Sequence, residues 1–184
     1  MTAVRRWLPA LSASLLVALA GCGASITGEP VPAVGFRDDS ASIAAVPTPR
    51  AVTGVDPCTL LTPADLDQAG GTTGGPYPGN PTPRTCTYAL GGAQPGNTAA
   101  VGFNDEFETA KAKQPRGVDV DVEGHSAWLY CDVIDGFQTC TATAAINAEH
   151  TLVTMLSLRG ATAADTTDVL QDLTTAALRN LPTG

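Results

Sequence analysis

Four cysteines, at positions 58, 86, 131 and 140, constrain the fold of this chain more than any other feature of its sequence. Asp135-Gly136 is a strong signal for a two-residue hairpin turn, and alternating apolar residues flank it on both sides. Counting outward from the turn places Cys131 opposite Cys140, at a non-hydrogen-bonded pair where side chains approach closely. That spacing suits a cross-strand disulfide, so Cys58 and Cys86 are left to pair with each other.

Two structural disulfides are the expected state of these cysteines because the chain also carries an export signal, and exported proteins keep disulfides oxidised. A metal site would need closely spaced CxxC-type pairs, and the sequence contains none. The sequence therefore predicts neither a metal site nor a cofactor.

Residues 1–21 form a signal peptide by pattern, since Arg5 and Arg6 precede a short apolar run that ends in small residues. The run is too short for a permanent transmembrane helix. Leu19-Ala20-Gly21-Cys22 resembles the lipobox of bacterial lipoproteins, in which the cysteine thiol is acylated after cleavage. The sequence thus predicts a lipid anchor at Cys22 and a location on the extracytoplasmic side of the cell membrane. General secretion and twin-arginine export both stay open.

The rest of the chain divides into a tether at 22–54, rich in Gly, Pro, Ala, Ser and Thr, and a folded domain at 55–184. The domain's pattern predicts an αββαββββα order. The elements are a helix from 62 to about 69, strands at 84–90 and 98–103, a helix at 104–114, strands at 118–123, 127–133, 138–145 and 151–158, and a helix at 162–181. We therefore expect an α+β domain, an antiparallel β-sheet with helices packed on one face.

Charge excludes one class of function, since the net charge of -8 is opposite to the basic field of a nucleic-acid-binding protein. The sequence also indicates no enzyme. Gly124-His125-Ser126-Ala127-Trp128 is similar to a GxSxG nucleophile motif, but it ends in Trp and lies between strands. Asp119, Asp121 and Glu123 alternate along one strand, yet they supply too few oxygens for Ca²⁺. His150 is interpreted as an ordinary residue at the end of a strand.

Aromatic residues of the hairpin form the candidate ligand site. Trp128 and Tyr130 share one face with Phe137, and they belong either to the core beneath the last helix or to the wall of an apolar pocket. Tyr77 lies in the long loop at 70–83, which is either a plain solvent loop or a ligand lid. These four residues are the predicted ligand-binding residues.

The segment Asp56-Pro57-Cys58-Thr59-Leu60-Leu61-Thr62-Pro63-Ala64-Asp65-Leu66 is similar to the opening motif of a family of actinobacterial lipoproteins, the domain of unknown function 3558. The chain also resembles that family in its lipobox, in Cys86 before Tyr88 and in its closing amphipathic helix. The resemblance covers about residues 54–182 and implies a cell-envelope location with no assigned activity. Related envelope lipoproteins with this element order resemble the Mog1/PsbP-like α+β sandwich.

The expected function is a non-catalytic binding or accessory module of the cell envelope, with a lipid, a glycan or a partner protein as its target. Two alternatives stay open: a sensor-like ectodomain working with a membrane partner, and an enzyme of unrecognised type. A closed apolar pocket would favour a small ligand, whereas a flat exposed apolar patch would favour a protein partner.

Overall fold

The computed structural model describes residues 44–184. Within them one antiparallel sheet has seven strands in the order β1-β2-β3-β7-β6-β5-β4. The strands are β1 (Tyr77–Pro78), β2 (Thr85–Ala89), β3 (Thr98–Asn104), β4 (Val118–Val122), β5 (His125–Ile134), β6 (Phe137–Ala145) and β7 (Thr151–Arg159), and the helices are α1 (Phe107–Ala112) and α2 (Ala163–Asn180). The predicted α+β class and the antiparallel sheet are confirmed.

The β5–β6 hairpin has the predicted register. Asp135 and Gly136 adopt φ angles of 52° and 80°, which suits a two-residue turn. Cys131 lies opposite Cys140 and is bonded to it across the strands. Cys58 is bonded to Cys86 of β2. Both predicted disulfides are therefore confirmed.

The main core lies between α2 and one side of the sheet, which we call the main face. Leucines on one side of α2 pack there against alternate residues of the central strands. A buried polar contact crosses this core: the Thr174 hydroxyl donates to the Leu170 carbonyl at 2.7 Å, so Thr154 of β7 donates to Thr174 at 2.6 Å. All these polar atoms are satisfied, so the contact orients α2 without the cost of an unpaired group.

Residues 62–70 do not form the predicted α-helix. Their backbone hydrogen bonds join residues three apart, as in a 3₁₀-helix, and only residues 67–69 form a regular turn. Thr62 and Asp65 nevertheless bond each other reciprocally, as at the start of a helix. The segment ends at Gly70, whose φ of 104° and contact with the Gly91 backbone stop the helix within one turn.

Helix α1 packs on the opposite side of the sheet, which we call the second face. Phe107 of α1 is buried there against Trp128 and Ala145. Trp128 alternates with Ala127 and Leu129, which both contact the main core, so its side chain projects to the other side and needs separate cover. The expectation of helices on one face thus holds for α2 and not for α1.

Residues 44–54, which the sequence assigned to the tether, are part of the folded domain. The Ala45 amide donates to Ser126 Oγ at 2.8 Å, and the Ser126 amide donates to the Ala45 carbonyl at 2.9 Å. Further along, Arg50 forms a β-bridge with Thr183. Backbone pairing does not depend on side-chain type, which is why composition alone did not reveal it. The signal peptide, Cys22 and the rest of the predicted tether lie outside the described residues.

Candidate functional site

The hydrolase-like motif does not form a nucleophile–base pair. His125 is 2% exposed on the main face, and its Nδ1 lies 2.7 Å from the Ala145 carbonyl oxygen. Ser126 points to the second face, where its hydroxyl accepts from Ala45. Adjacent residues of a strand project to opposite sides of the sheet, so His125 cannot activate Ser126.

The three carboxylates on and beside β4 point to three different partners. Asp119 accepts from Lys111 at 2.6 Å, and Asp121 accepts from the Gly124 amide at 2.9 Å. Glu123 adopts a φ of 55° in the turn, and its ion pair with Arg179 lowers the pKa of the Glu123 carboxyl. Residues 44–184 hold no group of three or more His, Cys, Asp or Glu side chains placed to bind a metal ion.

Three of the four predicted ligand-binding residues lie on the second face, each with a cation over its ring. The pairs are Lys111 over Trp128 at 4.3 Å, Arg116 over Tyr130 at 5.4 Å and Arg159 over Phe137 at 4.1 Å. Contacts of this kind stabilise by cation–π attraction. They also cover one side of each ring, so the aromatics do not line an open apolar pocket.

Trp128 is a structural residue in this arrangement. It is 8% exposed beneath α1, and its Nε1–H donates to the Gln114 carbonyl oxygen at 2.8 Å. The predicted core beneath the last helix is therefore wrong for Trp128, because the helix that covers it is α1. The indole ring is buried and its single hydrogen-bond donor is already bonded, so it has no free polar group with which to bind a ligand.

Tyr130 belongs to a polar cluster at the edge of the second face. Arg116 donates to the Tyr130 hydroxyl at 2.6 Å and to Asp132 at 2.7 Å, and Tyr130 donates to Asp132 at 2.7 Å. The hydrogen bond from Tyr130 makes the largest contribution to lowering the pKa of Asp132, and the same bond raises the pKa of Tyr130. Sequence spacing does not reveal this cluster, because Arg116 precedes β4 and reaches β5 across the sheet.

The centre of the second face carries no charge. Strands β3, β7 and β6 contribute alternate small or apolar side chains there, and the register places them side by side. This uncharged floor consists of Thr98, Ala100, Gly102, Val153, Met155, Ser157, Thr139, Thr141 and Thr143. Val153, Met155 and Thr141 are half-buried, and α1 covers only the end of the floor near Trp128. The floor is thus only partly accessible to solvent, since Ala100, Gly102 and Thr143 are buried and its other six residues are half-buried.

Tyr77 is separated from the other predicted ligand residues. It is 56% exposed on β1, and the strands β2, β3, β7 and β6 lie between β1 and β5. Five strand spacings correspond to roughly 24 Å. Tyr77 and the hairpin aromatics therefore do not form one ligand site.

A family model with the description "Protein of unknown function (DUF3558)" matches residues 17–180 of the chain. The chain belongs to this family. Neither a curated protein nor a solved structure matches the chain, so the Mog1/PsbP-like likeness stays a prediction. Neither helix among residues 44–184 is both long and apolar enough to cross a membrane.

A cleft that the sequence did not predict lies in this DUF3558 domain between β4 and α2. Val120, Leu129 and Leu170 form its apolar lining, with Thr167 and Gln171 at its polar side. Its volume is about 40 Å³, whereas ligand pockets usually hold roughly 300 Å³ or more. The cleft has room for one side chain and not for a lipid or a metabolite.

Proposed function

We propose that this DUF3558 protein is a lipid-anchored, non-catalytic module of the cell envelope whose second face binds a partner protein. The observation that carries the proposal is the uncharged floor. In a sheet with one face in water, the side chains on that face are normally polar or charged. This chain has many charged residues, with a net charge of -8. Leaving the middle of three adjacent strands without a charge is typical of a surface that is covered in use.

The surroundings of the floor fit the anatomy of a protein interface. Such interfaces have few charges at the centre and are enriched in Met, Tyr and Arg. Met155 lies in the floor, and the Tyr130–Arg116–Asp132 cluster lies at its edge. Arg159 stands at another border, over Phe137.

The structure favours a protein partner over the other two expected ligands. The cleft between β4 and α2, of about 40 Å³, is too small to hold a lipid chain. A glycan usually stacks on an exposed aromatic ring. On the second face Trp128 is buried, and Arg116 and Arg159 cover Tyr130 and Phe137. Tyr77 is 56% exposed, but it lies on β1, at the opposite edge of the sheet.

Anchoring is tested at Cys22. We expect Cys22→Ala to block acylation and to move the protein from the detergent phase to the aqueous phase on phase partitioning. Cys58→Ala is the matched control, because it removes a cysteine of the disulfide pair and leaves the lipobox intact. Unchanged partitioning of Cys22→Ala would contradict the anchor.

Partner binding is tested by placing a photo-crosslinking residue at Met155 in the native host. The matched control carries the same residue at Asp172, which is exposed on α2 on the other side of the sheet. We expect a discrete protein adduct from position 155 and none from position 172. Thr141→Glu should abolish the adduct, and urea denaturation of the same variant should show that it is still folded. No adduct from position 155, or the same adduct from both positions, would overturn the proposal.

A further inference from the structure

Strand β4 ends the sheet on one side, and no strand within residues 44–184 pairs with its outer edge. The register identifies which backbone groups face outward. Glu123-Gly124 form the two-residue turn, so Val122 and His125 are the hydrogen-bonded pair that closes it. Alternation then directs the amide and carbonyl groups of Asp119 and Asp121 away from β5. An added strand could therefore form backbone hydrogen bonds with four groups, the two amides and two carbonyls of these aspartates.

The side chains along this edge present two different surfaces. Val118, Val120 and Val122 face α2, and Val118 is 55% exposed. The cleft between β4 and α2 begins at Val120. A strand added beside β4 would direct every second side chain toward α2, where an apolar residue would extend the core and reach the cleft.

Asp119 and Asp121 occupy the other side of β4. The Asp119 side chain is 72% exposed even though it pairs with Lys111, so a second cation can still approach it. Self-association is disfavoured by the same residues. Antiparallel pairing of two β4 strands about Val120 would place Asp119 opposite Asp121 of the other copy, and like charges directly opposite each other destabilise a strand pair.

On the basis of the proposed function, we propose that β4 binds an extended segment of a partner protein in which apolar residues alternate with Lys or Arg. The segment adds to the sheet as a strand beside β4. Its apolar residues face α2 and its basic residues face Asp119 and Asp121. The attraction between the basic side chains and the two aspartates gives the binding its specificity. The backbone hydrogen bonds contribute affinity for any added strand, whatever its sequence.

The experiment uses the full mature chain with Cys22→Ser and three synthetic peptides: one alternating Val and Lys, one alternating Val and Glu, and the Val–Lys peptide N-methylated along one edge. NMR of backbone amides is the readout. We expect the Val–Lys peptide to protect the amides of Asp119 and Asp121 from exchange. Neither the Val–Glu nor the N-methylated peptide should do so, because one lacks the complementary charge and the other lacks the donors.

A matched variant pair separates the two components of binding. Asp119→Asn removes one charge and keeps the outward amide, so we expect it to weaken the Val–Lys peptide about three- to tenfold. Asp135→Asn, the same substitution at the exposed turn between β5 and β6, should leave the affinity unchanged. Asp119 is the exposed partner of its ion pair with Lys111, at 72% side-chain exposure, so loss of this ion pair should barely alter the stability of the fold.

Several results would overturn the inference. They are equal binding of the Val–Lys and Val–Glu peptides, protection of Val118 and Val120 in place of the aspartates, and concentration-dependent self-pairing of the chain at β4. Failure at β4 leaves the crosslink from position 155 untouched, and failure of that crosslink leaves the peptide result untouched. The two proposals are therefore tested separately.

Discussion

At the scale of single residues, hydrogen bonding distinguishes the structural aromatics from the surface ones. Trp128 and Tyr88 are both buried, and each bonds a backbone carbonyl: Trp128 that of Gln114, and Tyr88 that of Cys58 at 3.1 Å. Burial makes the largest contribution to raising the pKa of Tyr88. Tyr130, by contrast, bonds only charged side chains at the border of the second face. Only Tyr130 among these three is placed to contact a partner.

We expect Trp128→Phe to lower the free energy of unfolding by about 2 kcal/mol, because it leaves the Gln114 carbonyl unpaired and opens a small cavity beneath α1. Urea denaturation measures the loss. Tyr130→Phe is the control, with an expected loss below about 1 kcal/mol. The crosslink from position 155 should persist in the Trp128→Phe variant under conditions in which that variant is folded. Loss of the crosslink without loss of stability would make Trp128 a binding residue.

The Asp132 carboxyl should titrate below its ordinary pKa of 3.8, since Tyr130, the Val133 amide and Arg116 all favour its ionised form. A lowered pKa in the folded state means that this stabilisation is present above pH 3.8 and is lost as the pH falls through the folded value. NMR titration of the carboxyl carbon checks the direction. Tyr130→Phe and Arg116→Ala should each raise the pKa of Asp132. A wild-type midpoint at or above 3.8 would contradict the cluster.

At the scale of elements, the two disulfides fasten different kinds of structure. Cys131–Cys140 joins strands that the hairpin turn already pairs. Cys58–Cys86 joins β2 to a segment of short 3₁₀ turns, which has little regular structure to hold it in place. That segment contributes Leu60, Leu61 and Leu66 to the main core, so the second disulfide holds part of the core in position.

Removing Cys58–Cys86 should therefore cost more than removing Cys131–Cys140. The sequence separations are 28 and 9 residues, for which loop entropy predicts losses of about 3.5 and 2.7 kcal/mol. Paired Cys→Ala variants, compared by urea denaturation, measure the difference. Peptide mapping without reductant should show the same two cross-links in protein exported by the host. A larger loss for the Cys131/Cys140 variant would show that loop closure is not the dominant effect.

At the scale of the whole molecule, the two ends of the described chain close against each other. The Ala51 amide donates to the Pro182 carbonyl and the Gly184 amide to the Pro49 carbonyl, both at 2.9 Å. Leu181, which follows α2, is 2% exposed in the main core. The last residues of the chain therefore hold the segment that leads toward the predicted anchor.

Deleting residues 181–184 should lower the free energy of unfolding by about 3–5 kcal/mol, because it removes the buried Leu181 and the backbone pairing of residues 49–51. Deleting only residues 183–184 is the control. It keeps Leu181 and should cost about 1 kcal/mol. Urea denaturation at one pH compares the two. Equal losses would mean that the terminal pairing, and not Leu181, provides the stability.

Local signals in the sequence determined six of the seven strands, the hairpin register, both disulfides and α2, but they missed β1, which lies within the predicted loop at 70–83. Alternation, a turn dipeptide and helix caps act over a few residues, so they can be interpreted without the rest of the fold. The same signals overestimated the helix at 62–69 and extended α1 to 104–114, where the structure has only Phe107–Ala112. In both places, residues that the local pattern assigned to a helix belong instead to a neighbouring strand or turn.

Tertiary structure alone decided the features on which the proposed function rests. Alternation shows that Trp128 and Leu129 face opposite sides, but only the packing of α1 shows which side Trp128 shares with a helix. The cations over the aromatic rings, the placement of β7 between β3 and β6, and the outer edge of β4 all join residues distant in sequence. Such contacts depend on how the whole chain buries its apolar surface, so a short stretch of sequence does not encode them.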